Sequence, residues 1–255
     1  MRNVFLIVMC ACALGAAADA PYAGNWKMNI AKSDFGDTTV TYEQLPGGEM
    51  KASMDGQSYT FKTDGSDTMT PWGMTVAWKP AGANTWEITE KTNGKVTCTS
   101  ALKLSPDGRM LTLDAARVKA DGGTSNDSIS FQRVSGGPGL AGKWKTSNLK
   151  TSSPETLSLT QKSSDGLTLS LGNAGGVCDA KFDGRDHPAA GPVWPSGWTC
   201  MIAKNGPRGL DLTWKKDGKE MYRTTLVVST DGKTLTETGS AAGVNEKVRI
   251  VYDRQ

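Results

Sequence analysis

Few residues in this chain are equipped for chemistry. His187 is the single histidine, set in Phe182-Asp183-Gly184-Arg185-Asp186-His187-Pro188. An imidazole beside two carboxylates suggests an acid–base pair or a metal site. Asp183-Gly184, however, reads as a turn, Pro188 follows at once, and carboxylates in turns usually cap backbone amides. One histidine without spaced cysteine or histidine partners offers too few ligands for zinc. No serine elbow, phosphate loop or dinucleotide fingerprint occurs. An enzyme around Asp183, Asp186 and His187 therefore ranks behind a non-catalytic reading, with no catalytic residue, metal or cofactor expected.

The cysteines speak of export. Arg2, the apolar run Val4 to Gly15 and Ala18-Asp19-Ala20 have the order of a signal peptide over residues 1–20, with cleavage near Ala20. Cys10 and Cys12 fall inside that apolar run, too early for a lipid-anchoring cysteine. The run is also shorter than the roughly 20 residues needed to span a bilayer. The expected product is secreted or periplasmic. Of the remaining cysteines, Cys178 shares strand parity with Ala180 and Phe182, and Cys200 with Trp198 and Ile202. A Cys178–Cys200 disulfide is expected, leaving Cys98 as a buried thiol without an activating base.

The aromatic residues offer binding instead of catalysis. Gly191 to Trp198, GPVWPSGW, holds Trp194 and Trp198 among Pro and Gly, and Trp72 follows Pro71. Such loops can rim a cavity, stack on a sugar face or plug a barrel end. Trp72, Trp194 and Trp198 are the candidate ligand contacts, while Trp78, Trp86 and Trp214 read as strand residues of the core. With 29 basic against 26 acidic residues, interspersed along the chain, neither nucleic acid nor an anionic membrane is implied as a partner.

The elements that must position these residues are strands. Leu111, Leu113 and Ala115 alternate with polar residues, as do Leu167, Leu169 and Leu171, and Val248, Ile250 and Tyr252. That period belongs to antiparallel sheets with one face on a core. Asp-Gly and Asn-Gly pairs such as Asp55-Gly56, Asn93-Gly94 and Asp217-Gly218 punctuate the runs and mark tight hairpins. Helical periodicity is missing apart from single turns such as Asn29 to Phe35.

The pattern occurs twice. AGNWKMNIAK (Ala23 to Lys32) is echoed by AGKWKTSNLK (Ala141 to Lys150), and EITEKTNGKV (Glu87 to Val96) by DLTWKKDGKE (Asp211 to Glu220). SPDGRMLTL (Ser105 to Leu113) is answered by STDGKTLTE (Ser229 to Glu237), and Phe131-Gln132-Arg133 by Tyr252-Asp253-Arg254. Four blocks in one order establish an internal duplication. The units run over 21–134 and 140–255, joined by the Gly/Pro linker 135–139. Each provides eight or nine short strands. The expected fold is all-β, two tandem small antiparallel up-and-down barrels, with a sandwich as the structural rival.

Gly24-x-Trp26 and Gly142-x-Trp144 at the unit starts, with Arg133 and Arg254 at the unit ends, resemble the lipocalin-like (calycin) barrels. The chain is similar in outline to exported bacterial lipocalin-like proteins of unassigned function. The resemblance implies that each first-strand tryptophan packs under a last-strand arginine to close one barrel. Each unit is expected to close on itself, Trp144 meeting Arg254 in the second. It further implies a monomeric binding protein with at most a small apolar cavity per barrel, holding a small hydrophobic ligand. The alternative is a structural or adhesive envelope protein that contacts polysaccharide or protein through its tryptophan loops.

Overall fold

The computed structural model describes residues 20–35, 38–245 and 247–255. Except for Ala20, the expected signal segment lies outside these residues, as do Cys10 and Cys12. Among the described residues the first repeat supplies β1 (Gly24–Met28), β2 (Thr39–Gln44), β3 (Met50–Met54), β4 (Gln57–Phe61) and β5 (Asp67–Met69). It continues with β6 (Thr75–Gly82), β7 (Thr85–Thr92), β8 (Lys95–Leu104), β9 (Met110–Val118) and β10 (Thr124–Ser135). The second supplies β11 (Gly142–Thr151), β12 (Thr156–Ser163), β13 (Gly166–Leu171), β14 (Gly176–Lys181) and β15 (His187–Ala190). It ends with β16 (Trp198–Asn205), β17 (Gly209–Lys216), β18 (Lys219–Val228), β19 (Thr234–Ala241) and β20 (Val248–Arg254). A single 3-10 turn, Ile30–Lys32, falls within the expected Asn29 to Phe35 stretch.

The strands form two antiparallel ten-stranded sheets, one a closed barrel and the other nearly closed with its seam between β4 and β5. That is one or two strands more per unit than the hydrophobic pattern suggested, because strands as short as β5 and β15 leave little periodic signal. The turn chemistry is as read at three of the Asx-Gly pairs, while Asp64, Asp107, Asp165, Asp183 and Asp231 keep negative φ. Asp55-Gly56, Asn93-Gly94 and Asp217-Gly218 each place both residues at positive φ, the geometry that matches a hairpin's twist. Inward alternation fills the closed barrel with Leu157, Leu159, Ile202, Leu210, Leu226 and Leu235. In its partner, Phe61 stacks on Trp78 at 4.4 Å beside Leu102, Leu111 and Trp144.

The barrels do not follow the repeats. β1 leaves the first repeat and lies between β12 and β20, completing the second barrel. β11 leaves the second and lies between β10 and β2, inside the first. Each unit has handed its opening strand to the other. The expectation that each unit closes on itself is therefore overturned: Trp26 pairs with Arg254, and Trp144 with Arg133. The connections supply a physical reason. Only residues 136–141 join β10 to β11, so β11 folds back on its neighbour as a hairpin, and β1 is left to seal the other barrel.

Both closures use one set of atoms. Each guanidinium lies 4.0 Å from the centroid of its tryptophan ring. Arg254 donates to the carbonyls of Pro21, Ala23 and Gly232, and Arg133 to those of Gly108, Gly137, Gly139 and Ala141. Trp26 Nε1 donates to Tyr22 O, and Trp144 Nε1 to Leu140 O, both at 3.0 Å. Gly24 is obligatory, since a Cβ there would stand 2.5 Å from Arg254 Nη1 and its φ is +137°. Gly142 is the same, with φ +148° and Arg133 Nη1 only 2.8 Å from an added Cβ. The Ser-x-Asp-Gly blocks join this assembly, because Gly108 and Gly232 supply the carbonyls that receive Arg Nε. Three of the four repeated blocks thus converge on a single device, built twice; the Glu87 to Val96 and Asp211 to Glu220 blocks take no part in it.

Cys178 and Cys200 form the expected disulfide and Cys98 is free and buried. The bridge spans from β14 to β16 across β15, which makes only two residue pairings with each neighbour. It braces the part of the closed barrel with the least ladder to hold it.

Candidate functional site

The tryptophan loops meet at the mouth of the closed barrel. β16 begins with Trp198, whose Nε1 donates to Trp72 O at 2.8 Å. Trp72 belongs to the loop between β5 and β6, so the first repeat reaches into the second barrel. Its own Nε1 donates to Tyr222 Oη at 2.9 Å, and Tyr222 Oη in turn lies 3.4 Å from Asp55 Oδ2. Trp194 stacks on Trp214 at 4.7 Å and leans on Trp198 at 5.1 Å. Tyr222 lies parallel to Trp198. The three tryptophans singled out in the sequence are thereby brought together.

They do not stand equally. Trp72 and Trp198 are buried behind the wall, whereas Trp194, Trp214, Tyr222 and Leu171 border a cavity of about 880 Å³. It runs from the groove between the barrels into the closed barrel's mouth, and Asp55, Thr224 and Glu237 also face it. That volume exceeds the small apolar cavity expected from units this short, because both barrels contribute walls to it. Gly176 makes room for Trp194. An added Cβ would approach Trp194 Nε1 to 2.6 Å and Val193 Cγ1 to 2.7 Å. Gly176→Ala is accordingly expected to push the Trp194 indole off Trp214, read as a change in tryptophan emission and near-UV circular dichroism with strand content intact.

Electrostatically the site is acidic inside. Glu237 shares inward parity with Leu235 on β19, and Tyr252 Oη donates to its Oε2 at 2.9 Å. Burial raises the Glu237 carboxyl above its ordinary range, against the lowering effect of that bond. Asp55, on the β3–β4 turn, is also raised by burial. Burial drives the Tyr222 hydroxyl upward, helped by the nearby Asp55 charge, and Tyr252 likewise with Glu237. The mouth of the other barrel has a different character: Glu90, Arg117 and Asp127 border a cavity of about 290 Å³, with Arg117 Nε 3.0 Å from Asp127 Oδ2.

Asp183, Asp186 and His187 do not converge. His187 Nε2 lies 3.0 Å from Asp183 Oδ1, while Asp186 turns away to Lys215 Nζ. The His187 bond, followed by the Arg185 amide, holds Asp183 below the usual carboxylate range. This is a turn tied together at the surface, facing none of the cavities described above. No group of three or more His, Cys, Asp or Glu side chains able to hold a metal occurs among the described residues.

Sequence reasoning missed Trp214, Tyr222, Asp55 and Glu237 as cavity residues, and Tyr252 as the partner of Glu237. One signal was available for Glu237: in Leu235-x-Glu237-x-Gly239 a carboxylate stands at core parity. Asp55 carried none, because its place depends on how the two barrels dock. No protein-family model matches the chain, and no curated protein is significantly similar to it.

Proposed function

We propose that this is an exported, non-catalytic binding protein that takes a small molecule with a flat apolar body into the cavity at the closed barrel's mouth. The observation that carries this reading is the wall itself, with Trp194, Trp214, Tyr222 and Leu171 on one cavity large enough for a drug-sized ligand. The disulfide fits export, and among the described residues no helix is long and apolar enough to cross a membrane. The doubled Gly-x-Trp and arginine closures support the lipocalin-like kinship.

Titration of residues 21–255 with the neutral dye N-phenyl-1-naphthylamine tests the proposal. Saturable dye enhancement with quenching of tryptophan emission is expected. Trp194→Ala should weaken it about tenfold, which corresponds to roughly 1.4 kcal/mol, within what one aromatic contact supplies. A dye signal that stays linear, or is indifferent to Trp194, would sink the reading. A structural or adhesive role is the second reading, favoured by the filled lower half of the closed barrel around Trp26, Leu157 and Leu210. It predicts no uptake of the dye.

A further inference from the structure

The cavity combines aromatic rings with carboxylates that have no cation of their own. Glu237 is surrounded by protein yet faces the cavity, and its side-chain donors are neutral hydroxyls, that of Tyr252 at 2.9 Å and that of Thr224 beside it. Asp55 is likewise met by a neutral hydroxyl, that of Tyr222. Among the described residues neither acid makes a salt bridge, and no basic group figures among the influences on either. Lys143 and Lys247 border the same cavity but only at its rim, where both are exposed. Removing a carboxylate from water without pairing it costs several kcal/mol in general. A fold that keeps two such groups on one aromatic-lined cavity has a place prepared for positive charge.

We propose that the cavity takes an organic cation, with an ammonium head set among Trp194, Trp214 and Tyr222 and facing the carboxylates of Glu237 and Asp55. Ring faces attract ammonium groups most strongly when water is excluded, and quaternary ammonium recognition is the best-known use of such an aromatic wall. Glu237 supplies the charge that decides between a cation and its neutral analogue. Tyr252 positions Glu237, since its hydroxyl holds one carboxyl oxygen. This inference names the ligand class for the site proposed above and rests on that reading.

The pH dependence follows from the groups around the head. Glu237 faces Tyr252 on β20, Thr224 and Tyr222 on β18, and across the cavity Asp55, with Lys143 and Lys247 at the rim; Glu155 lies near Tyr252. Both carboxyl pKa values are raised in the fold, so protonation favours the folded state. Their favourable contribution is complete at low pH and is lost as pH rises through the raised values. A bound cation compensates for that loss, so its stabilisation should grow with pH.

The experiment uses phenyltrimethylammonium and its uncharged carbon isostere tert-butylbenzene, each competing with the naphthylamine dye. The expected result is displacement by the cation at a concentration at least about tenfold lower, a difference of roughly 1.4 kcal/mol. Glu237→Gln should bring the two competitors within about threefold of each other, whatever the dye's own affinity. Should that variant fail to fold, Asp55→Asn and the wild-type pH series serve instead: the thermal shift from the cation should be larger at pH 8 than at pH 5, and that from tert-butylbenzene equal at both. Equal competition by the two compounds in the wild type would overturn the cation inference while leaving the cavity reading intact. Failure of the dye itself to bind would overturn both.

Discussion

Trp26→Ala should destabilise the second barrel far more than the first. Trp26 is fully buried, and removing a core tryptophan typically costs about 3–5 kcal/mol. Amide exchange should accelerate across β12 to β20, while β6 to β9 keep their protection. The deciding measurement is a pair of double-mutant cycles. Trp26→Ala with Arg254→Ala should show a coupling of about 0.5–2 kcal/mol, the range for a guanidinium over an indole. Trp26→Ala with Arg133→Ala should be additive within about 0.5 kcal/mol, as for groups that do not touch. Coupling of Trp26 to Arg133 instead would mean that each repeat closes on itself and would overturn the strand exchange.

The same residues show what a sequence can disclose and what it withholds. Gly-x-Trp and the terminal arginine were legible as closure parts because their chemistry is local, an arginine needing an indole, whereas Ser-x-Asp-Gly was legible only as a repeated turn and its carbonyl's role in the clamp was not. Which tryptophan meets which arginine was not legible. The two sets are chemically equivalent, so either pairing satisfies the pattern, and only the short 136–141 connection breaks the tie. The disulfide was legible because parity in two strands put both sulfurs on one core. The cavity was not, since its walls come from β2 to β4, β11 and β13 together with β17 to β20, and from loops that meet only once the barrels dock. Trp72 illustrates the point. Its loop position was correctly noticed, yet its hydrogen bond to Tyr222 spans 150 residues of chain.

Removing the disulfide gives the second large effect. The bridged cysteines are 22 residues apart, and a loop of that length corresponds to roughly 3 kcal/mol of stabilisation. For a chain of this size a Cys178→Ala, Cys200→Ala double variant should melt roughly 6–12 °C lower than the parent. Reductant should lower the parent's midpoint towards that of the variant and leave the variant's own midpoint unmoved, which assigns the sensitivity to this bridge and not to Cys98. A reductant effect that persists in the double variant would contradict the assignment. The loss should be concentrated at β14 to β16, where the four-residue β15 has the shortest ladder to rely on.

The exchanged strands also set an order of events for a chain that is made and delivered from one end to the other. Arg133 reaches forward over a span of 8 residues to the Ala141 carbonyl, so the first clamp can assemble as soon as β11 emerges. Arg254 must find the Ala23 carbonyl across 231 residues. β1 has no neighbour until β12 is made and lacks its second until β20, because both come from the second repeat. Long-range pairing of this kind is slow and leaves an open edge exposed while it waits. Two identical clamps therefore have opposite kinetic fates. The first can close as soon as β11 follows β10, and the second must wait until β20 can be brought back to β1.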